Sequence, residues 1–277
     1  MISLTILVEN TARGTGVLGE HGLAYWLDTG THKVLFDTGQ GVALFHNALR
    51  LGIRLSSTDA IVLSHGHADH TGGLESVLSM APRAQLFLHP AATHAKFIAA
   101  QAGKGRHIST AFMESESFRT PGRRVVAQSE PCEVVPGVWM TGEVLRENTF
   151  EDTGGPFFLD EALQSPDTLL DDQSLYIKTK SGLVVILGCA HSGVVNTLRY
   201  IQELSGETRI HTVIGGLHLE AASPERMNKT IAALKAFAPE RLGFCHCTGF
   251  ASTSRLWNEF PGVCFQAHAG LKLDFEE

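Results

Sequence analysis

The sequence predicts a layered α/β fold, and two observations carry this prediction. First, apolar strand patterns alternate with helical patterns over residues 1–90 and again over residues 171–277. Second, four short apolar strands each end in a glycine-flanked loop that contains histidine. In layered α/β folds, sites form where the ends of strands converge, so these loops predict a single shared site. The loops and their strands occupy residues 61–73, 184–193, 212–220 and 242–249.

The first half, residues 1–90, shows five strand patterns and two helical patterns. Each strand is a short apolar run bounded by turn residues such as Gly14, Gly30 and Gly39. The first helix has apolar residues at helical spacing and Gly52 just beyond it as a stop signal. The predicted strands are 4–8, 23–27, 33–36, 60–63 and 85–88, and the predicted helices are 41–51 and 74–80.

The second half, residues 171–277, regains this rhythm after a weaker middle segment. Residues 91–170 are expected to shape the substrate pocket, with a loop at 151–158 over the site. A later helix should begin at Ser223, an N-cap residue followed by proline and an acidic residue. The other predicted elements are strands at 124–127 and 138–140, a hairpin of 174–179 and 183–187, a helix over 194–204, strands at 211–214, 242–245 and 263–266, and a helix ending near residue 260.

Composition argues against several classes of protein. The formal net charge is −7 and no run is rich in lysine or arginine, which argues against a broad nucleic-acid-binding face. The longest apolar runs are strand-sized, well short of the ~18 residues that span a membrane. Five cysteines in 277 residues are too few for a disulfide framework and favour a reducing cytoplasm. We expect one domain over residues 1–277 that binds an anionic small molecule, and a homodimer is compatible with the sequence.

The most informative segment follows the predicted strand 60–63 and reads Ser64-His65-Gly66-His67-Ala68-Asp69-His70. Histidines two residues apart in extended backbone can point to the same side, so His65 and His67 can ligate one metal ion. Asp69 and His70 can face a second ion ~3.5–4 Å away, the separation typical of two-metal hydrolases. Three imidazoles and a carboxylate suit zinc, with manganese, iron or magnesium as alternatives.

The other histidine loops supply candidates for the second half of the site. His191 and His246 follow strand ends, where clustered histidines favour metal binding, and the alternative for each is an ordinary turn residue. His218 is a candidate for substrate contact, for ligation, or for satisfying backbone groups at its strand end. Asp37 can orient a metal-bound imidazole by accepting its remaining N–H, or can serve only in an Asp-Thr-Gly turn.

These motifs resemble those of a known family. The segment 64–70 resembles the HxHxDH signature of the metallo-β-lactamase superfamily, and Asp37-Thr38-Gly39 resembles its early Asp-Thr-Gly element. The segments 171–175, 188–193, 215–219 and 246–249 are similar to those of 7,8-dihydropterin-6-methyl-4-(β-D-ribofuranosyl)-aminobenzene-5′-phosphate synthase-like proteins. The resemblance implies a four-layer αβ/βα sandwich. Two mixed sheets would pack face to face with helices outside, and a dinuclear metal site would lie at one edge.

The resemblance also implies which residues complete the metal site. The family's last histidine ligand corresponds to His246. Its bridging aspartate corresponds to Cys189, which departs from the usual pattern and leaves the bridging ligand open. His191, two residues later, could replace a missing ligand. Cys189 itself and Asp172, which precedes the hairpin, are weaker candidates.

The expected activity is hydrolysis or transfer at a small, phosphate-containing substrate, a pterin-like compound being one candidate, with two divalent ions, Zn²⁺ first. A metal-activated water or a metal-polarised phosphate would carry the reaction. Asp69 would orient the nucleophile, and His218 would hold or protonate the leaving oxygen. The named reaction of the resembling subfamily couples a pterin alcohol diphosphate to an aminobenzene ribofuranosyl phosphate, with loss of pyrophosphate. The alternatives are hydrolysis of C–N, C–O or C–S bonds, and a non-catalytic metal-binding or sensor protein.

Overall fold

Two seven-stranded β-sheets, packed face to face, organise the protein. The computed structural model describes residues 1–100, 103–119 and 124–276. The strands are β1 (Ile2–Val8), β2 (Ala24–Asp28), β3 (Lys33–Phe36), β4 (Ala60–Val62), β5 (Gln85–Leu88), β6 (Phe97–Ala99), β7 (Gly105–His107), β8 (Val125–Ala127), β9 (Cys132–Val135), β10 (Val138–Met140), β11 (Phe157–Phe158), β12 (Leu175–Thr179), β13 (Gly182–Ile186), β14 (Ile210–Gly215), β15 (Arg241–Phe244), β16 (Cys264–Gln266) and β17 (Lys272–Phe275).

The longer α-helices lie against the outer faces of the two sheets. Short 3₁₀ turns cover Leu55–Ser57, Pro90–Thr93 and His246–Thr248. No helix within the described ranges combines the length and the apolar character needed to cross a bilayer. The α-helices are α1 (Ala43–Arg50), α2 (Ala68–Thr71), α3 (Leu74–Met80), α4 (Ala111–Glu114), α5 (Val194–Ser205), α6 (Pro224–Phe237) and α7 (Phe250–Glu259).

The strand order brings the carboxyl ends of several parallel strands to one edge of each sheet. The first sheet runs β17-β1-β2-β3-β4-β5-β8, and its strands from β3 to β8 are parallel. The second sheet runs β16-β15-β14-β13-β12-β10-β9, and its strands from β13 to β16 are parallel. β6, β7 and β11 form a third, small sheet.

Three apolar clusters define the layers. The central cluster contains buried residues of both large sheets, such as Tyr25 and Phe36 from the first and Ile177 and Ile186 from the second. A second cluster joins the other face of the first sheet to α1 and α3, and a third joins the other face of the second sheet to α5, α6 and α7. The order helix, sheet, sheet, helix confirms the predicted four-layer sandwich.

Local sequence signals explain several element boundaries. Ser223 has extended backbone, and its hydroxyl accepts a hydrogen bond from the Arg226 amide at 3.1 Å, so α6 starts where its N-cap residue predicts. The predicted hairpin forms as β12 and β13, paired antiparallel from Leu175↔Ile186 to Thr179↔Gly182. Patterns that combine periodicity with a cap or a turn are therefore located to within about two residues.

Several parts of the fold depart from the predictions. β6, β7, β9 and α4 form within residues 91–170, where only strands at 124–127 and 138–140 were expected. The expected loop at 151–158 ends in β11, where Phe157 pairs with Ile98. β17 returns to the first sheet and pairs with β1, with Ile2 opposite Phe275. Both strands are short and pair with distant segments, so the contacts that define them leave no local periodicity.

Candidate metal centre

The predicted convergence of the histidine loops is confirmed. His65 follows β4, His191 follows β13, His218 follows β14 and His246 follows β15. The ring centroids of His65 and His191 are 4.8 Å apart, and those of His191 and His218 are 4.3 Å apart. The two sheets therefore contribute opposite walls of one histidine-rich site.

Among the described residues, the site contains overlapping groups that could hold metal ions. We call them the first, second and third donor groups. Within each, the candidate ligand atoms lie within 4.8 Å of one another. The first consists of His65, Cys189 and His191, the second of His70, Cys189 and His246, and the third of His21, Asp69 and His246. Cys189 therefore belongs to both the first and the second donor group.

The unpaired, buried Nε2 atoms of His67 and His191 make the site chemically suitable for metal ions. His67 lies outside the three groups, but its Nδ1 is 2.9 Å from His65 Nε2. The Nε2 atoms of His67 and His191 are buried without a hydrogen-bond partner. A buried polar atom left unpaired costs about 1–3 kcal/mol, and ligation of a metal removes that cost. The donor set of imidazole, thiol and carboxylate is the set that zinc prefers.

Burial determines the charge of the first-group histidines and of His67. It lowers the pKa of His65, His67 and His191 well below the ordinary histidine value, and the neighbouring imidazoles lower the pKa of His65 and His191 further. All three are therefore neutral near pH 7, which is the form that ligates metals. His191 Nδ1 lies 2.8 Å from the Thr153 carbonyl, so its Nδ1–H donates there and its Nε2 is left as the free acceptor.

His70 is held by a buried carboxylate. Its Nδ1 lies 2.7 Å from Asp37 Oδ2. Burial by itself would lower the pKa of His70, but the carboxylates of Asp37 and Asp69 outweigh it and raise that pKa to about 9. The other Asp37 oxygen accepts the Ser64 amide at 2.7 Å. Asp37 thus orients the His70 ring and holds the start of residues 64–70, which we call the motif loop. Asp37 itself lies outside the three donor groups.

Asp69 faces the cavity rather than the core. Burial would raise its pKa, but the adjacent His70, His21 and His246 lower that pKa well below the ordinary value. Its Oδ2 lies 3.3 Å from His246 Nε2 and 3.3 Å from His21 Nε2. Asp69 is therefore an ionised carboxylate in contact with two imidazoles.

Lys96 forms buried ion pairs with two aspartates, and one of these aspartates also holds the motif loop. Lys96 Nζ lies 2.8 Å from Asp167 Oδ2 and 2.9 Å from Asp171 Oδ1. The second Asp171 oxygen accepts the Gly66 amide at 2.8 Å. A Cβ on Gly66 would lie 2.4 Å from the Ala92 carbonyl oxygen, so the loop needs glycine there.

Like His67 and Asp37, the predicted site residues Asp172 and His218 lie outside the donor groups. Asp172 Oδ2 accepts the Ser192 amide at 2.8 Å, which supports the loop after β13, and burial raises the pKa of Asp172 to about 6. His218 is partly buried, lines the cavity and has an unpaired Nδ1. Burial, followed by the nearby charge of Arg226, lowers the pKa of His218 to about 4.

Backbone strain concentrates in these loops. Four non-glycine residues of the site have left-handed backbone: Asp37 (φ 61°), Ala190 (φ 53°), His218 (φ 45°) and His246 (φ 49°). Each such residue costs about 1 kcal/mol or more and persists only where its surroundings enforce it. The strands therefore end in turns that direct side chains into the site at the expense of local stability.

Sequence analysis misses several residues of the site. His21 gives no signal beyond that of an exposed or structural histidine, yet it contacts Asp69. Asn10 Oδ1 accepts a hydrogen bond from His246 Nδ1 at 2.9 Å, and the Glu9 carboxylate accepts the His246 amide at 2.8 Å. Lys96 lies in the segment that gives no motif. These contacts join residues far apart in sequence, and no local pattern marks them.

The donor groups open into a cavity of about 920 Å³. Its lining includes Asp69, Cys189 and His246 of the donor groups, His218 beside them, and Ile98, Phe157 and Phe250 as apolar surface. This volume is in the upper range for small-molecule sites and far exceeds the space that a water or a phosphate needs.

Comparison with protein families agrees with the geometry. Residues 18–95 match the family model of the metallo-beta-lactamase superfamily. The chain is 32% identical over 272 residues to the 7,8-dihydropterin-6-methyl-4-(beta-D-ribofuranosyl)-aminobenzene-5'-phosphate synthase of Methanocaldococcus jannaschii. That alignment covers 92% of this chain and 90% of the relative.

Solved structures show the same fold. Tm1679, described as a metal-dependent hydrolase of the beta-lactamase superfamily, superposes with a TM-score of 0.85 at 29% identity over the whole of both chains. A diphosphatase from the PhnP family has a TM-score of 0.54 at 16% identity, covering 100% of this chain and 98% of that one, which shows the fold alone. From the shared motifs, the full-length relative and the common fold, we conclude that this chain belongs to the metallo-β-lactamase superfamily.

Proposed function

We propose that this protein is a dinuclear-metal hydrolase or transferase that acts on a small, phosphate-containing substrate. The observation that carries the proposal is the presence of two overlapping, buried donor groups beside a large cavity, which Cys189 and His246 line. A site for one structural ion would be closed and tetrahedral, whereas a catalytic site keeps an open position. The opening of these groups to the cavity favours catalysis over a structural or sensor role.

The ligands divide between the two halves of the fold. His65 and His191 would hold one ion, together with His67, whose Nδ1 lies 2.9 Å from His65 Nε2. His70 and His246 would hold the other, together with Asp69, whose Oδ2 lies 3.3 Å from His246 Nε2, and Cys189 would lie between the two sets. When bound, two divalent ions supply Lewis acidity toward a phosphoryl oxygen and make a water nucleophilic at neutral pH. Zinc fits the donor set best, because imidazole and thiolate suit it better than they suit magnesium.

The chain's own side chains would orient the reacting groups. Asp37 fixes the His70 ring and Asn10 fixes the His246 ring, so that each presents its Nε2. His218, with a pKa of about 4, is neutral at pH 7 and has an unpaired Nδ1. A neutral imidazole donates one hydrogen bond, so His218 would hold a leaving oxygen in place without acting as a strong acid.

The cavity favours an anionic substrate larger than phosphate itself. Arg106 is exposed at the cavity wall, and among the described residues its side chain has no hydrogen-bond or ion-pair partner. Phe250, also at the wall, is 91% exposed. A cation and an exposed aromatic ring suit a substrate with both an acidic group and a planar ring. The Methanocaldococcus relative is named as the synthase of a dihydropterin compound that carries a 5'-phosphate, and this name supports the same class of substrate.

The first test measures turnover. Zinc-loaded protein is assayed with phosphomonoesters, phosphodiesters and pyrophosphate, alongside H67A and the control H94A, in which a histidine outside the site is changed. We expect H67A to lose most activity and H94A to retain it. Turnover of nitrocefin or acyl thioesters in place of phosphate compounds would favour the C–N or C–S alternative. Less than one metal equivalent after purification would favour a degenerate binder.

The second test addresses substrate binding. In R106A, loss of one charge-assisted contact of about 1.5–3 kcal/mol should raise KM by roughly tenfold or more while kcat stays similar. The matched control is R54A, whose side chain is exposed and does not line the cavity. An unchanged KM in R106A for every phosphate substrate that turns over would remove Arg106 from the binding site.

A further inference from the structure

Cys189 is the one described residue that belongs to both the first and the second donor group. Its side chain is buried, with 3% of its surface exposed. Its Sγ lies 3.2 Å from His70 Nε2 in one group and is within 4.8 Å of the His65 and His191 donors of the other. The sulfur atom therefore lies between the two sets of histidines.

The surrounding backbone is arranged to bring this short side chain to that point. Ala190 has φ 53°, which turns the chain between Cys189 and His191 so that both reach the same donor group. A Cβ on Gly216 would lie 3.3 Å from the Cys189 Cα, and a Cβ on Gly188 would lie 2.3 Å from Ser64 Oγ. Glycine at 188 lets the loop after β13 approach Ser64, and glycine at 216 lets the loop after β14 approach Cys189, more closely than a side chain would allow.

A neighbouring cysteine does not share this position. Cys247 Sγ lies 3.7 Å from the Cys189 carbonyl oxygen, and Cys247 belongs to no donor group among the described residues. Cys245 contacts the Tyr25 hydroxyl at 3.7 Å within the central apolar cluster. Of the three cysteines near the site, only Cys189 has its sulfur among histidines of both halves.

We propose that Cys189 is a bridging thiolate shared by the two metal ions, and that it makes the site selective for thiophilic divalent ions such as zinc. The inference rests on the proposed function for the presence of two ions. On binding, the Cys189 thiol loses its proton to solvent, and two lone pairs of the resulting sulfur form the two metal bonds. Carboxylate, by contrast, suits magnesium and manganese.

The bridge also has an electrostatic consequence. One thiolate and the Asp69 carboxylate would neutralise only half of the charge of two divalent ions, because a histidine that ligates a metal, His70 included, is neutral. The remaining positive charge faces the cavity and favours an anionic substrate. A single shared sulfur thus bridges the ions without cancelling the charge that would attract phosphate.

X-ray absorption at the zinc edge tests the bridge directly. Protein loaded with two zinc ions should show about one sulfur per zinc at about 2.3 Å, because each ion sees the same sulfur. A terminal Cys189 ligand would give about half a sulfur per zinc. The control C247S should keep the wild-type sulfur signal, and C189S should lose it.

A second readout follows metal preference. C189D should still bind two ions, but its affinity for Mn²⁺ relative to Zn²⁺ should rise at least tenfold over wild type in a competition measured by metal content. Half a sulfur per zinc, no sulfur, or a signal lost in C247S instead of C189S overturns the bridge. If the wild type then still turns over phosphate compounds with two ions bound, the proposed function stands without the bridge.

Discussion

Replacing Lys96 by methionine removes the cation that lies between the buried carboxylates of Asp167 and Asp171. All three side chains are at least nine-tenths buried, and the two ion-pair distances are 2.8 and 2.9 Å. Methionine keeps most of the side-chain volume, so the change is mainly one of charge. Removing one partner of a buried pair costs about 3–5 kcal/mol, because it leaves an uncompensated charge.

The expected loss for K96M is therefore about 3–5 kcal/mol in the free energy of unfolding. It is measured by urea unfolding at pH 7, with the metal content of variant and wild type matched. The control is K104M, which removes the exposed Lys104–Glu161 pair at 3.8 Å and should cost less than about 1 kcal/mol. Because Asp171 also holds the Gly66 amide, K96M should weaken metal binding as well.

A result within about 1 kcal/mol of wild type would refute this reasoning, since it would mean that the carboxylates are well solvated or protonated without Lys96. The variant K96M/D167N/D171N separates charge from packing. It removes all three charges, and the side-chain amide oxygen that D171N introduces can still accept the Gly66 amide. The triple variant should recover part of the stability that K96M loses, and no recovery would assign the loss to packing.

Two further predictions concern pH and the Asp37 contact. His65, His67 and His191 have folded pKa values below the value of about 6.5 for unfolded histidine, so unfolding takes up protons in acid. The stability of metal-free protein should therefore fall as pH drops below about 6.5, by up to ~1.4 kcal/mol per pH unit for each histidine, and a flat thermal-unfolding profile there would contradict it. His70, with a pKa of about 9, stabilises the fold below about pH 6.5, and this contribution is lost as pH rises through 9. D37N should reduce that alkaline loss, because only the contribution of Asp69 to the raised pKa of His70 then remains, and an unchanged slope between pH 7 and 9 would count against the Asp37 contact.

The sequence predicts the parts of this site that lie within one segment. The spacing of His65, His67 and His70 after an apolar strand identifies a metal-binding loop, because ligand geometry is encoded in local backbone. The four-layer fold follows from strand and helix periodicity together with the family resemblance. The histidine loops at 191 and 246 are found for the same reason, since each is attached to a recognisable strand end.

The parts that sequence analysis misses depend on tertiary contacts. His21 meets Asp69, 48 residues later, only after β2 and β4 are placed in one sheet. Lys96 gives no signal because lysine is ordinarily exposed, and its burial becomes visible only through its two carboxylate partners. A local sequence pattern can thus identify a candidate ligand, but it does not identify the residues that contact this ligand in the folded chain.

The charge of the cavity makes anion binding depend on the metal ions. Glu9, Asp69 and Glu220 line the cavity, and Arg106 is the one lysine or arginine among its described lining residues. Without metal, the balance of acidic groups opposes a phosphate near the histidines, because like charges repel most strongly where water is scarce. Calorimetric titration with inorganic phosphate should therefore show binding to zinc-loaded protein and at least tenfold weaker binding after chelation. Equal affinity in both forms would mean that Arg106 and backbone amides, rather than metal ions, recognise the phosphate.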